Sequence, residues 1–158
     1  MRVAITTDSA AQTMGLGEQL GRLLKPGDVV ALYGELGAGK TVLTKGIARG
    51  LGVEADVHSP TFTLIHEHPG PVPLYHVDLY RIEGDAEIES IGVEEYLEAD
   101  GVTVIEWAEK MRSMLPAERL DITLRMTGET AREIVLESDS PRLRSAIEEL
   151  TRNAGACH

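Results

Sequence analysis

The octapeptide Gly34-Glu35-Leu36-Gly37-Ala38-Gly39-Lys40-Thr41 satisfies the spacing G-x-x-x-x-G-K-[ST] at every fixed position. A backbone that wraps a polyphosphate has to turn several N–H groups inward, and glycines allow both the dihedral angles and the close approach this needs. In that pattern the backbone from Leu36 through Gly37, Ala38, Gly39 and Lys40 to Thr41 forms the cradle. Lys40 supplies a mobile cation for the terminal phosphates, and the Thr41 hydroxyl a ligand for Mg²⁺. The chemistry expected here is binding of a nucleoside triphosphate. Hydrolysis asks for more, an acid that organises the cation and positions water. Two apolar runs end in such an acid, Val102-Thr103-Val104-Ile105-Glu106 and Leu74-Tyr75-His76-Val77-Asp78, the second interrupted by His76. Ligands gather at the carboxyl ends of strands in open α/β sheets, so both acids fall where they can act. Glu106 is assigned to Mg²⁺ together with Thr41, and Asp78 to the attacking water or another water of the metal shell. Residue type leaves these two roles exchangeable. Lys40, Asp78 and Glu106 are thus the candidate catalytic groups.

Other residues near these carry two readings each. Trp107, the single tryptophan, is either a half-buried packing residue or a surface closing over the nucleotide. Ser59 and Thr61, flanking Pro60, form either an ordinary turn or a γ-phosphate switch. His66 and His68 share a strand face, but no third ligand accompanies them, so zinc is not expected. The acidic run from Glu87 to Glu98 reads as a solvated helix face, with a partner surface as the alternative.

The elements that position these groups follow from periodicity. The run Val29-Val30-Ala31-Leu32-Tyr33 before the glycine loop has the length of a buried strand, and Val42 to Arg49 after it suits a helix ending at Gly50. Asp8 or Ser9 caps an earlier helix whose Leu16, Leu20, Leu23 and Leu24 form one stripe. Gly15-x-Gly17 in that helix imitates a dinucleotide fingerprint but lacks the third glycine, Leu20 standing in its place. Strands are expected at Arg2 to Thr6, Phe62 to His66 and Pro73 to Tyr80. One acidic helical region is expected from Asp85 to Glu98, and a short helical stretch around Lys110. Leu120 to Met126 and Glu133 to Leu136 pair as antiparallel strands, and Ser140-Pro141 opens a last helix carrying Leu143, Ile147 and Leu150 on one face. This order gives an α/β fold: a single-domain, P-loop NTPase-like three-layer sandwich with a mostly parallel central sheet and antiparallel additions. The domain spans residues 1–158, with the tail from about 152 expected to fray.

With 158 residues, 42 % of them hydrophobic, the chain is long enough for one well-filled core. No apolar run reaches membrane-spanning length, and the N-terminal residues lack the apolar stretch of a secretion signal. A lone cysteine, Cys157, allows no internal disulfide, in keeping with a cytoplasmic location. The net charge of −11 repels nucleic acid, so autonomous RNA or DNA binding is not expected.

A resemblance adds to this reading. The phosphate-loop octapeptide is followed by Ser59-Pro60-Thr61-Phe62-Thr63-Leu64 and Tyr75-His76-Val77-Asp78-Leu79-Tyr80-Arg81. Then come Ile91-Gly92, and Ile105-Glu106-Trp107 with Glu109-Lys110. In this order they resemble the TsaE (YjeE-type) family of bacterial ATPases, from the first helix to the strand containing Arg132. The resemblance implies a role in making N6-threonylcarbamoyladenosine in tRNAs that read codons beginning with A. It implies ATP and Mg²⁺ as cofactors, and as partners a complex of TsaD and TsaB that ATP hydrolysis resets between rounds. By position, it implies that Leu36 to Thr41 hold phosphates, that Thr41 and Glu106 hold Mg²⁺, and that Asp78 is needed for activity. Arg132 falls where the family has a basic residue near the nucleoside, and the segment from Ser9 to Thr13 would border the adenine. Two other classes compete. A P-loop small-molecule kinase would want an arginine-bearing lid, whereas Arg81, Arg112, Arg119 and Arg125 are scattered. A GTP switch would want N-K-x-D and D-x-x-G segments, neither of which occurs.

Overall fold

The computed structural model of the chain describes residues 1–54, 65–90, 92–97 and 100–156. In chain order the elements are β1 (Arg2–Thr7), α1 (Ala10–Leu23), β2 (Val29–Tyr33), α2 (Lys40–Gly50), β3 (Ile65–His68) and β4 (Leu74–Asp78). They continue with α3 (Asp85–Ser90), α4 (Val93–Leu97), β5 (Val102–Glu106), a 3₁₀ helix (Ala108–Met114), β6 (Leu120–Met126), β7 (Arg132–Glu137) and α5 (Pro141–Ala156). Among the described residues the strands form one sheet in the order β1-β7-β6-β2-β5-β4-β3. The central strands β6, β2, β5 and β4 run parallel, while β7 is antiparallel to β6, β1 to β7, and β3 to β4. The parallel centre explains why β2 and β5 are mostly apolar, Thr103 and the acid ending β5 apart: both of their faces are covered.

Side-chain alternation sorts each strand's residues between two layers. Val30, Leu32, Val104 and Ile122 pack with Leu16 and Leu20 of α1, Leu43 and Ile47 of α2, and Leu143, Ile147 and Leu150 of α5. Val29, Ala31, Val77 and Ile105 face the other way, onto Ile88 of α3, Val93 of α4 and Met111 of the 3₁₀ helix. The expected three-layer sandwich is therefore present. Ser9 caps α1, its Oγ accepting the Gln12 N–H at 3.1 Å, as the sequence pattern requires.

The expected single acidic helix is instead the pair α3 and α4. Gly92 between them has φ 73°, a left-handed conformation that ends a helical run and that glycine adopts without a Cβ penalty. The expected strand from Phe62 to His66 runs from Ile65 to His68, Phe62 to Leu64 lying outside the described residues. At the other end α5 runs to Ala156.

The glycines of α1 have a use that the discarded fingerprint did not suggest. α1 lies against α2 so closely that a Cβ on Gly17 would stand 2.4 Å from the Leu43 carbonyl oxygen, and one on Gly21 2.3 Å from that of Ile47. From the opposite side, Gly46 and Gly50 present the same problem to the carbonyls of Met14 and Glu18, at 2.1 and 2.2 Å. Backbone cannot yield as a side chain can. Gly46→Ala is expected to cost at least about 1–3 kcal/mol, the range for overpacking, in denaturant unfolding. Gly15→Ala, whose Cβ would meet nothing within 4 Å, is expected to gain up to about 1 kcal/mol from helix propensity. A Gly46→Ala protein as stable as its parent would contradict the backbone-to-backbone packing.

Candidate functional site

The turn between β2 and α2 carries left-handed or near-extended glycines at its critical points: Gly34 at φ 148°, Gly37 at 83° and Gly39 at 102°. Gly39 is the N-cap of α2 and makes no side-chain cap hydrogen bond. The backbone N–H groups of a first turn and the positive end of a helix together make an anion site. Lys40 opens α2, and its Nζ donates to the Gly34 carbonyl at 2.6 Å, folding back along the loop. Burial pulls the Lys40 ammonium below its ordinary range, while the carboxylates of Glu106, Glu109 and Asp78 act in the opposite direction.

Sheet register delivers the two acids. Leu32 of β2 pairs with Glu106 of β5, and Glu106 pairs with Asp78 of β4, so three neighbouring parallel strands finish together beside the loop. Thr41 Oγ1 lies 3.4 Å from Glu106 Oε1 and donates to it. The other carboxylate oxygen, Oε2, meets His76 Nε2 in a close contact. Asp78 Oδ1 accepts the Tyr80 N–H at 3.0 Å. A cavity of about 320 Å³ is lined by Leu36, Gly37, Gly39, Lys40, Thr41, Val42, Asp78, Tyr80, Glu106 and Trp107. Lys40, Thr41, Asp78 and Glu106, far apart in sequence, thus border one space.

Trp107 is the only non-glycine residue with positive φ among those described, at φ 61° and ψ 41°. A bulky residue there is strained by roughly 1–2 kcal/mol. The turn it makes between β5 and the 3₁₀ helix brings its indole within 3.5 Å of Lys40 Nζ and stacks it, tilted, 5.1 Å from Tyr80. Both readings of this residue have a counterpart here, since the ring is partly buried against the inner layer and also edges the cavity. Lys110 ties the next segment down by donating to the carbonyls of Tyr80 and Ile82.

Arg132 reaches the opposite flank of the loop. Its Nε donates to the Ala38 carbonyl at 3.0 Å and Nη2 to that of Gly37 at 3.3 Å. Thr130 in the same hairpin donates to the Asp8 carbonyl at 2.8 Å, just before α1. These bonds close a small cavity of about 90 Å³ lined by Ala10, Thr13, Gly39, Val42, Glu129, Thr130 and Arg132. Ala10 and Thr13, at the start of α1, thus share this cavity with Arg132. His66 and His68 lie on edge strand β3 with their rings 5.8 Å apart, edge to face. Ser59 and Thr61 lie outside the described residues.

Sequence reasoning passed over His76, Tyr80 and Lys110. For His76 a signal existed. A polar residue two positions before Asp78 in an otherwise apolar strand must point to the same side as that acid.

A strand–glycine loop–helix opening a parallel sheet, with a lysine and a threonine starting the helix and acids ending the adjacent strands, is the P-loop NTPase fold. A family model described as threonylcarbamoyl adenosine biosynthesis protein TsaE matches residues 7–134. The chain belongs to this family. It is 43 % identical over 148 residues to the tRNA threonylcarbamoyladenosine biosynthesis protein TsaE of Bacillus subtilis, covering 93 % of this chain and 92 % of that one. To the protein of the same name from Treponema pallidum it is 44 % identical over 128 residues, covering 81 % of this chain and 95 % of the other. The crystal structure of Bacillus subtilis YdiB superposes with a TM-score of 0.83 at 38 % identity, covering 97 % of this chain and 96 % of that one.

Burial raises the Asp78 carboxyl above its ordinary 3.8; the Tyr80 N–H pulls it down, the charge of Glu106 pushes it up, and His76 and Lys40 lower it. The fold therefore favours the protonated acid. Stability associated with that preference is complete below the ordinary value and lost as pH rises through the raised one. Asp78→Asn keeps an acceptor for Tyr80 and removes the charge. In the ligand-free protein it is expected to melt above the parent at neutral pH, the difference shrinking as pH falls toward 3.8. A neutral-pH melting temperature equal to or below the parent's would count against this account.

Proposed function

We propose that this chain binds and hydrolyses ATP in support of N6-threonylcarbamoyladenosine formation in tRNA, acting on a TsaD–TsaB complex without transferring the group itself. The pathway is the one that the names of its relatives carry. The observation that bears most weight is the meeting of Thr41 with Glu106 beside the glycine loop, within a cavity that also takes in Lys40 and Asp78. The donor set suits Mg²⁺, which prefers hydroxyl and carboxylate oxygen and usually takes only one or two carboxylates beside substrate phosphates. Thr41 and Glu106 would hold the cation, whose charge would offset that building on the phosphates during hydrolysis.

In this reading the amides from Leu36 to Thr41 receive the phosphates, and Lys40 lies along their terminal oxygens. Asp78 orients the attacking water. Arg132 braces the loop from the nucleoside side, next to the small cavity reached by Ala10 and Thr13. Kinase chemistry is less well supported, because Arg119 and Arg125 are engaged by Asp121 and Glu133 and Arg112 lies over the Tyr33 ring. Among the described residues no helix is long and apolar enough to cross a membrane. The acidic chain also repels RNA, so the partner complex holds the tRNA.

Two measurements test the proposal. ATP turnover is expected to be slow for the chain alone and several-fold faster with TsaD and TsaB; absence of both stimulation and complex formation would overturn it. Lys40→Ala is expected to weaken ATP binding by about 1.5–3 kcal/mol, the scale of a hydrogen bond to a charged group. Glu106→Ala is expected to reduce Mg²⁺-dependent hydrolysis more than binding. Equal losses of both in the two variants would refute the division of roles.

A further inference from the structure

His76 is fully buried in β4, and Glu106 is 3 % exposed at the end of β5. A carboxylate so far from water needs donors close by. Two neighbours approach its two oxygens separately: Thr41 Oγ1 at Oε1 and His76 Nε2 at Oε2. The placement follows from register, since His76 pairs with Val104, and Glu106 is the next residue on the same face of β5. An ionised carboxylate only accepts hydrogen bonds, so the contact requires the imidazole proton on Nε2. The other ring nitrogen, Nδ1, has no hydrogen-bond partner among the described residues, so the ring engages its surroundings through Nε2.

Building on the function proposed above, we propose that His76 is a positioning residue. Its Nε2–H holds Oε2 of Glu106 and fixes the carboxylate plane so that Oε1 stays turned toward Thr41, ready for the cation that accompanies the nucleotide. Carboxylates that ligate metals are themselves held by outer hydrogen bonds, and losing such a partner typically lowers metal affinity about 10–100-fold. A histidine that merely filled space would leave the metal dependence unchanged when replaced by an apolar residue of similar volume.

The test uses the full chain with ADP and MgCl₂. His76→Leu is expected to leave ADP affinity in EDTA unchanged and to raise, about tenfold or more, the Mg²⁺ concentration at which ADP binding tightens. His76→Gln, whose amide can put an N–H near the same oxygen, is expected to recover most of that loss. A His76→Leu protein with the parent's Mg²⁺ dependence, or a Gln variant no better than Leu, would overturn the proposal. Should ADP fail to bind the parent protein, the nucleotide reading falls, yet the positioning claim still has its own readout. In ¹⁵N-histidine-labelled native protein, with the His76 signals assigned by the Gln variant, Nε2 is expected to give a protonated, pyrrole-type resonance. A pyridine-type Nε2 would overturn the proposal, because the ring would then present a lone pair to the carboxylate. This readout needs neither ligand nor a folded Leu variant.

Discussion

A carboxylate withdrawn from water is among the most expensive groups a protein can hold, and Glu106 sits in that condition at the end of the central sheet. What makes it tolerable is the convergence of a hydroxyl and a nearby ammonium from α2 with an imidazole from β4. That convergence exists only because β2, β5 and β4 are parallel neighbours in a register that ends all three at one level. A slip of one residue between β4 and β5 would turn His76 and Asp78 to the opposite face, away from Glu106. The site is thus a property of strand register before it is a property of any single side chain.

The same register accounts for the electrostatic character of the cavity. Two acids and one lysine border it, and burial weakens the charged form of both Lys40 and Asp78. A doubly charged cation entering with a polyphosphate would offset part of the charge brought into a place where each group alone is poorly solvated. The left-handed backbone at Trp107 belongs to the same arrangement, for strained conformations persist where the surroundings overdetermine them. Here the surroundings are Lys40 on one side of the indole and Tyr80 on the other.

Much of this was legible in the residues. The glycine loop declared itself by fixed spacing, and Glu106 and Asp78 by ending apolar runs, because a buried parallel strand leaves little reason for an acid other than its position. Long periodic segments such as α1 and α5 were readable for the same reason. The acidic stretch after Asp85 was not, since its few apolar members suit one helix or two, and only the backbone at Gly92 decides between them. His76 looked like a flaw in a strand. Its meaning depends on a residue thirty positions later, a pairing that no local pattern contains. Gly17, Gly21, Gly46 and Gly50 were likewise opaque, because small residues four apart gain their sense only when the two helices that bear them are brought together.

Those four glycines divide the molecule mechanically. Helices that touch through their main chains have no cushion of side chains to slide over, so α1 and the loop-bearing helix α2 move as a single strut. The wall of the smaller cavity that α1 supplies therefore keeps its distance from the cradle whatever occupies either. On the other flank, at the aromatic pair and the lysine-tethered turn beyond β4, contacts are made by side chains and can be remade where main-chain packing cannot.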